Sequence, residues 1–264
     1  MAELAVRETG RRGQPAIVFL HGVGGSGAMW RHLTAALPNY HCLAPDLPGH
    51  GASRAIEWRT RADAAQRVAA LIEQRTADGR AHVVGLSLGG SVAIELLATR
   101  PDRVERAVVD GCGALPSPVI GPMTLGVAAI SPLLRFGVLA RLIGRAFGVR
   151  PGPGLDDFVA QIQAADARSF RRAFADANAT RITPGLLAAP CPTLFVAGER
   201  ELRHVRASNR LLAERMPQAE ARMVPGASHG WGATTRPDLH RRMVTAWVEG
   251  RPLPSELAHE TAKR

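Results

Sequence analysis

Lysine is all but missing from this chain: Lys263 is the only one among 33 basic residues, and the rest are arginines. Cysteine is scarce too. Cys42, Cys112 and Cys191 are odd in number, far apart and without metal-ligand spacing. That excludes a disulfide-stapled secreted fold and points to a reducing compartment. The first residues lack the basic start, apolar run and cleavage site of a signal peptide, so a cytoplasmic location is expected. Acidic residues number 23, which leaves a formal charge of +10. Nucleic-acid binding calls for clustered basic residues or a recognition motif. Here the arginines are spread along the chain, with short pairs at Arg11-Arg12, Arg171-Arg172 and Arg241-Arg242. No nucleic-acid partner is expected, while an anionic surface or substrate stays open.

Charge is also absent between Gly111 and Leu134, a stretch long enough to span a bilayer. Pro116, Pro118, Pro122 and Pro132 break any single helix there, and Arg135, Arg141 and Arg145 follow at once. The expectation is therefore broken helices covering an apolar site, with weak membrane-surface contact possible and no transmembrane segment.

With 264 residues, 46% of them hydrophobic and 21% charged, the chain can bury a full core. Short apolar runs at Ala16–Leu20, His41–Asp46, Ala81–Leu86, Val104–Asp110, Thr193–Ala197 and Ala221–Val224 suit strands buried on both faces. Helical patterns lie between them at Ser26–Leu37, Arg61–Arg75, Leu88–Arg100, Val205–Arg215 and Thr235–Glu249. Such alternation predicts an α/β fold, a mostly parallel sheet with helices on both faces. It fails once, from about Cys112 to Ala189, where several helical patterns occur, including Leu155–Ala177. No linker separates two independent domains. We therefore expect a single domain over 1–264 with a helical cap inserted at about 112–189, over the carboxyl edge of the sheet.

One segment carries chemistry. Ala81-His82-Val83-Val84-Gly85-Leu86-Ser87-Leu88-Gly89-Gly90-Ser91 reads as a strand, then Gly-x-Ser-x-Gly, then a helix. A serine on so tight a turn needs small neighbours, here Gly85 and Gly89, and is lifted towards a helix N-terminus with free N–H groups. The sequence around it resembles the α/β-hydrolase superfamily over nearly its whole length. His21-Gly22-Val23-Gly24-Gly25-Ser26 resembles the oxyanion loop. Asp46-Leu47-Pro48-Gly49-His50-Gly51-Ala52-Ser53 resembles the loop after the next strand, and Pro225-Gly226-Ala227-Ser228-His229-Gly230 the loop bearing the catalytic histidine.

That resemblance implies Ser87 as nucleophile and His229 as base, with the backbone N–H groups of Val23 and Leu88 as oxyanion hole. His21 and His50 are expected to fix loop geometry. His32, His82, His204, His240 and His259 are expected on the surface or in helices. The acid has two candidates. Glu201, in Gly198-Glu199-Arg200-Glu201, stands where the superfamily usually has aspartate, and Asp110 ends the strand before the cap. Glu199 reads as a loop-capping carboxylate.

A serine at this turn implies acyl transfer to water, acting on a carboxylic ester, lactone or thioester of a small, largely apolar substrate. Neither a metal cluster nor a dinucleotide fingerprint is evident, and the mechanism calls for no cofactor. Two other classes stay open: a ligand-binding receptor on a hydrolase scaffold, and a membrane-associated interaction protein using the basic, apolar cap.

Overall fold

The computed structural model describes residues 2–146, 149 and 151–260. Its strands are β1 (Val6–Thr9), β2 (Ala16–Leu20), β3 (His41–Pro45), β4 (Ala81–Leu86), β5 (Val104–Asp110), β6 (Thr193–Gly198), β7 (Ala219–Val224) and β8 (Ala258–His259). They form one sheet in the order β1-β3-β2-β4-β5-β6-β7-β8. Neighbours from β3 across to β7 are parallel, and β1 and β8 close the edges antiparallel. Every residue of β2, β3, β4 and β6 is buried, as unbroken apolar runs require of strands covered on both sides.

Alternate side chains feed two cores, because successive residues of a strand point to opposite faces. Val18, Leu20 and Val83 pack with the helices Arg61–Arg75 and Leu88–Thr99. Ile17, Phe19 and Val84 pack on the other face with Trp30 and the helix Pro237–Val248.

Two edge strands are added and two local expectations are revised. The edge strands β1 and β8 carry no apolar run: β1 is Val-Arg-Glu-Thr and mostly exposed, and β8 has two residues. The pattern at Ser26–Leu37 is a 3₁₀ turn, Gly27–Trp30, followed by a short helix, Arg31–Ala35. The pattern at Leu155–Ala177 is two helices, Pro153–Ala164 and Ala167–Asn178. They separate at Asp166, whose carboxylate caps the second helix by accepting from the Ser169 N–H at 2.7 Å. The Asp166 N–H meanwhile donates to the Gly49 carbonyl at 2.9 Å.

Between β5 and β6 the described residues form helices and turns, among them Ile120–Ile130, Gly137–Ala146, Pro153–Ala164, Ala167–Asn178 and Pro184–Leu187. This segment lies against the loops that follow β2 and β3. Ile162 and Phe170 pack on Gly24, Ser169 packs on Gly49, and the Ser26 hydroxyl donates to the Gln161 side chain at 3.0 Å. Among the described residues no helix is long and apolar enough to cross a membrane. The side chain of Arg135 lies outside the described part.

Candidate active site

Ser87 joins β4 to the helix Leu88–Thr99 with φ +54° and ψ −109°, the one positive φ outside glycine among the described residues. Such a conformation costs on the order of 1–3 kcal/mol and persists only where its surroundings over-determine it. They do so here. The Ser87 N–H donates to the Asp110 carbonyl at 2.8 Å, and its own carbonyl accepts from the Ser91 N–H at 2.9 Å. The flanking glycines follow from close backbone approach. A Cβ on Gly85 would stand 2.3 Å from the Gly89 carbonyl oxygen, and one on Gly89 would stand 2.2 Å from that of Leu20.

The loop after β2 lies beside this turn. A Cβ on Gly22 would be 3.7 Å from that of Ser87, and the Gly89 N–H donates to the His21 carbonyl at 3.0 Å. Leu88 is the first helical residue and fully buried; Val23 packs on both the main core and the inserted helices. Among the described residues neither amide N–H meets a protein acceptor.

His21 and His50 hold loops. The His21 Nε2 accepts from the Leu47 N–H at 2.9 Å, so its proton sits on Nδ1, 2.8 Å from the Gly22 carbonyl. Burial drives the His21 pKa down to about 4, consistent with that neutral tautomer. His50, 2.9 Å through Nδ1 from the Pro48 carbonyl, is pushed by burial to about 3. Asp46 ties the same loops together by accepting from the Gly27 and Ala52 N–H groups, both at 2.7 Å. His82 departs from its expected surface setting, being a buried residue of β4. His240 is helical but also buried, stacked on Trp30.

His229 lies on the loop after β7, and its Nδ1 is 2.8 Å from Oε1 of Glu201. The Glu201 side chain is 5% exposed and that of His229 32%. Burial opposes protonation of this imidazole. The hydrogen bond and charge of Glu201, aided by the charge of Asp110, outweigh it and raise its pKa above the ordinary value. Glu201 owes its place to the bond from its N–H to the Gly198 carbonyl at 3.0 Å and to Arg200 N–H on Ala227 at 2.9 Å. Glu199 caps the neighbouring loop, accepting from the Gly226 N–H at 2.8 Å.

Asp110 lies beneath this pair, 2% exposed, and accepts from the Trp231 indole N–H at 3.2 Å. Burial and the nearby Glu201 raise its pKa to about 7. Gly111 and Trp231 are contributors that the sequence reading passed over. Gly111 has φ +61°, and a Cβ there would stand 2.9 Å from Glu201 Oε1 and 3.0 Å from His229 Nδ1. Its missing side chain lets the pair lie against the end of β5, whose Asp110 carbonyl holds the Ser87 turn. The available signals were local: a glycine directly after a strand-ending aspartate, and a tryptophan two residues past His229. Among the described residues no three His, Cys, Asp or Glu side chains converge as a metal site.

Comparison with known proteins gives the fold and the family. An AB hydrolase superfamily protein of Gibberella zeae is 28% identical over 249 residues, 92% of this chain and 83% of that protein. Lipase LipV of Mycobacterium tuberculosis is 40% identical over 108 residues, covering 40% of this chain and 41% of the lipase. The enol-lactonase of Burkholderia xenovorans LB400 superposes with a TM-score of 0.77 at 24% identity, over 93% of this chain and 96% of that one, which shows a shared fold. A family model described as the alpha/beta hydrolase family matches residues 17–239. With a strained serine turn after β4 and a histidine–carboxylate pair after β6 and β7, and a family match of that extent, this chain belongs to the alpha/beta hydrolase family.

Proposed function

We propose that this chain is a serine hydrolase cleaving the carboxylic ester, lactone or thioester of a small, largely apolar substrate through an acyl-enzyme. The observation that carries the reading is the 2.8 Å bond between His229 Nδ1 and Glu201, in a chain whose glycine-flanked serine is held at positive φ. Ser87 Oγ attacks the substrate carbonyl carbon as its proton passes to Nε2 of His229. The carbonyl π electrons move onto oxygen, where the Val23 and Leu88 N–H groups receive the negative charge. Each such donor is worth roughly 3 kcal/mol in the transition state. Collapse expels the alcohol or thiol, which takes the proton from His229. Water then attacks the acyl-serine, with His229 again as base, and releases the carboxylic acid.

Glu201 is the acid of the triad. It keeps the proton of the neutral ring on Nδ1, so that Nε2 is the nitrogen that accepts the serine proton, and stabilises the cation that forms. Asp110, pushed towards protonation, supports the arrangement from below through Trp231. The inserted helices act as the cap, and the cluster of Leu134, Val159, Ile162 and Phe170 packed against Val23 supplies apolar walls. Names among the relatives, a lipase and an enol-lactonase, accord with acyl chemistry.

The test is hydrolysis of p-nitrophenyl esters across acyl chain lengths by wild type, Ser87→Ala, Glu201→Gln and Asp110→Asn. We expect sustained turnover by wild type, a loss of at least about 10³-fold in Ser87→Ala, and a larger loss in Glu201→Gln than in Asp110→Asn. Wild-type rates in Ser87→Ala sink the mechanism. A single slow acyl burst by wild type favours a ligand-binding receptor.

A further inference from the structure

The helix Ile120–Ile130, Ile-Gly-Pro-Met-Thr-Leu-Gly-Val-Ala-Ala-Ile, has Thr124 as its one polar side chain, yet none of its 11 residues is buried. Leu125 is 73% exposed. An apolar helix with no buried residue is anomalous in water. The next helix, Gly137–Ala146, has its inner face satisfied: Ala140 is buried, Ile143 joins the cluster of inserted helices, and Gly144 lies against Leu155 and Phe158. Its outer face carries Val138, Arg141, Leu142 and Arg145, which fall within one arc of the helix at 3.6 residues per turn. Val138 and Leu142 are 73% and 57% exposed, and both arginines are exposed.

We propose that the outer face of these two helices docks on an anionic phospholipid bilayer, lying flat on it. Neither helix is long and apolar enough to span one. The choice of occupant rests on charge and polarity. No Asp or Glu occurs from Gly111 to Leu155, while arginines stand at 135, 141, 145 and 150, in a chain of formal charge +10. Among the described residues Asp156 pairs with Arg141 at 2.6 Å, and Asp157 is engaged by Arg31. A second copy docking about a twofold axis would bring like arginine-bearing surfaces together. A protein partner would also need polar rim groups to pair, and this face offers arginine and little else. Acyl chains need no hydrogen bonds, and phosphate headgroups suit the guanidinium groups that flank the apolar side chains.

The inference stands apart from the catalytic reading and is tested by co-sedimentation of the full chain with phosphatidylcholine vesicles, with and without phosphatidylglycerol. We expect binding to the anionic vesicles, weaker binding at high salt, and at least about a tenfold loss of affinity in Leu125→Asp/Leu142→Asp and in Arg145→Glu. Thermal melting and hydrolysis of a short soluble ester serve as controls, and both should match wild type in these variants. If wild type hydrolyses no ester, the catalytic reading fails while vesicle binding still decides the docking. No sedimentation with anionic vesicles overturns the docking, as does affinity unchanged by Leu125→Asp/Leu142→Asp. So does a wild-type dimer in sedimentation equilibrium that the same double substitution dissolves, which would make the face an interface between copies.

Discussion

Two carboxylates lie close to His229, and their surroundings give them different work. Glu201 accepts directly from the ring, whereas Asp110 is sealed under the Trp231 indole with its pKa raised to about 7. The His229 pKa is raised, so the acid limb of the activity profile should lie above the pH of an ordinary imidazole. Glu201→Gln removes a hydrogen-bonding anion. That limb should therefore move to lower pH even as the maximal rate falls; a stationary limb means another group holds the ring. Asp110 makes a second, separate prediction. Its folded pKa exceeds the unfolded one, so folding loses stability as pH rises from about 4 to about 7. Asp110→Asn should thus raise the melting temperature at pH 8, by an effect of order 2–4 kcal/mol, and change it little at pH 4. Equal effects at both pH values would show that lost packing governs instead.

At the scale of elements, the helices between β5 and β6 grip the loops that follow β2 and β3. Ile162 and Phe170 press on Gly24, one residue from Val23, and Gln161 holds Ser26. Their partner turn is anchored at Gly49 through Asp166. The loop that would receive the oxyanion is therefore clamped between β2 and the insertion. Phe170→Ala should lower kcat by about 10- to 100-fold with a smaller change in KM, since a loosened donor loses transition-state contacts first. A pure rise in KM would place Phe170 in substrate binding alone. The positive φ at Gly24 and the break at Asp166 belong to this junction. Neither follows from helical periodicity, which runs on from Leu155 to Ala177 until the tertiary contact with Gly49 interrupts it.

For the whole molecule, the largest pH liability is its buried histidines. His21, His50, His82 and His240 have pKa values pushed by burial to about 4, 3, 4 and 4. Each folded value lies below the unfolded one, so the stability these groups hold above pH 6.5 is lost as pH falls towards 4. At pH 5 the loss is on the order of 2 kcal/mol per histidine, and the opposite shift of Asp110 offsets about one of them. Thermal unfolding should therefore shift down by about 10 °C between pH 7 and pH 5, measurable by circular dichroism. A flat profile would mean that these rings stay neutral in the unfolded chain or charge without cost in the folded one.

The chain alone determined the inner parallel strands and the turn at Ser87, because those signals are local. A buried parallel strand must be an unbroken apolar run, and a backbone at positive φ with carbonyls 2–3 Å from any Cβ admits only glycine beside the serine. Edge strands escaped notice because two to four half-exposed residues carry no pattern. The carboxylate that meets His229 was decided only by the tertiary structure. Asp110 and Glu201 both sit at the carboxyl ends of adjacent strands, so spacing favours neither. A bare Gly111, a tryptophan that occupies Asp110 and a loop that turns Glu201 inwards make the choice, and each acts through contacts between segments distant in sequence.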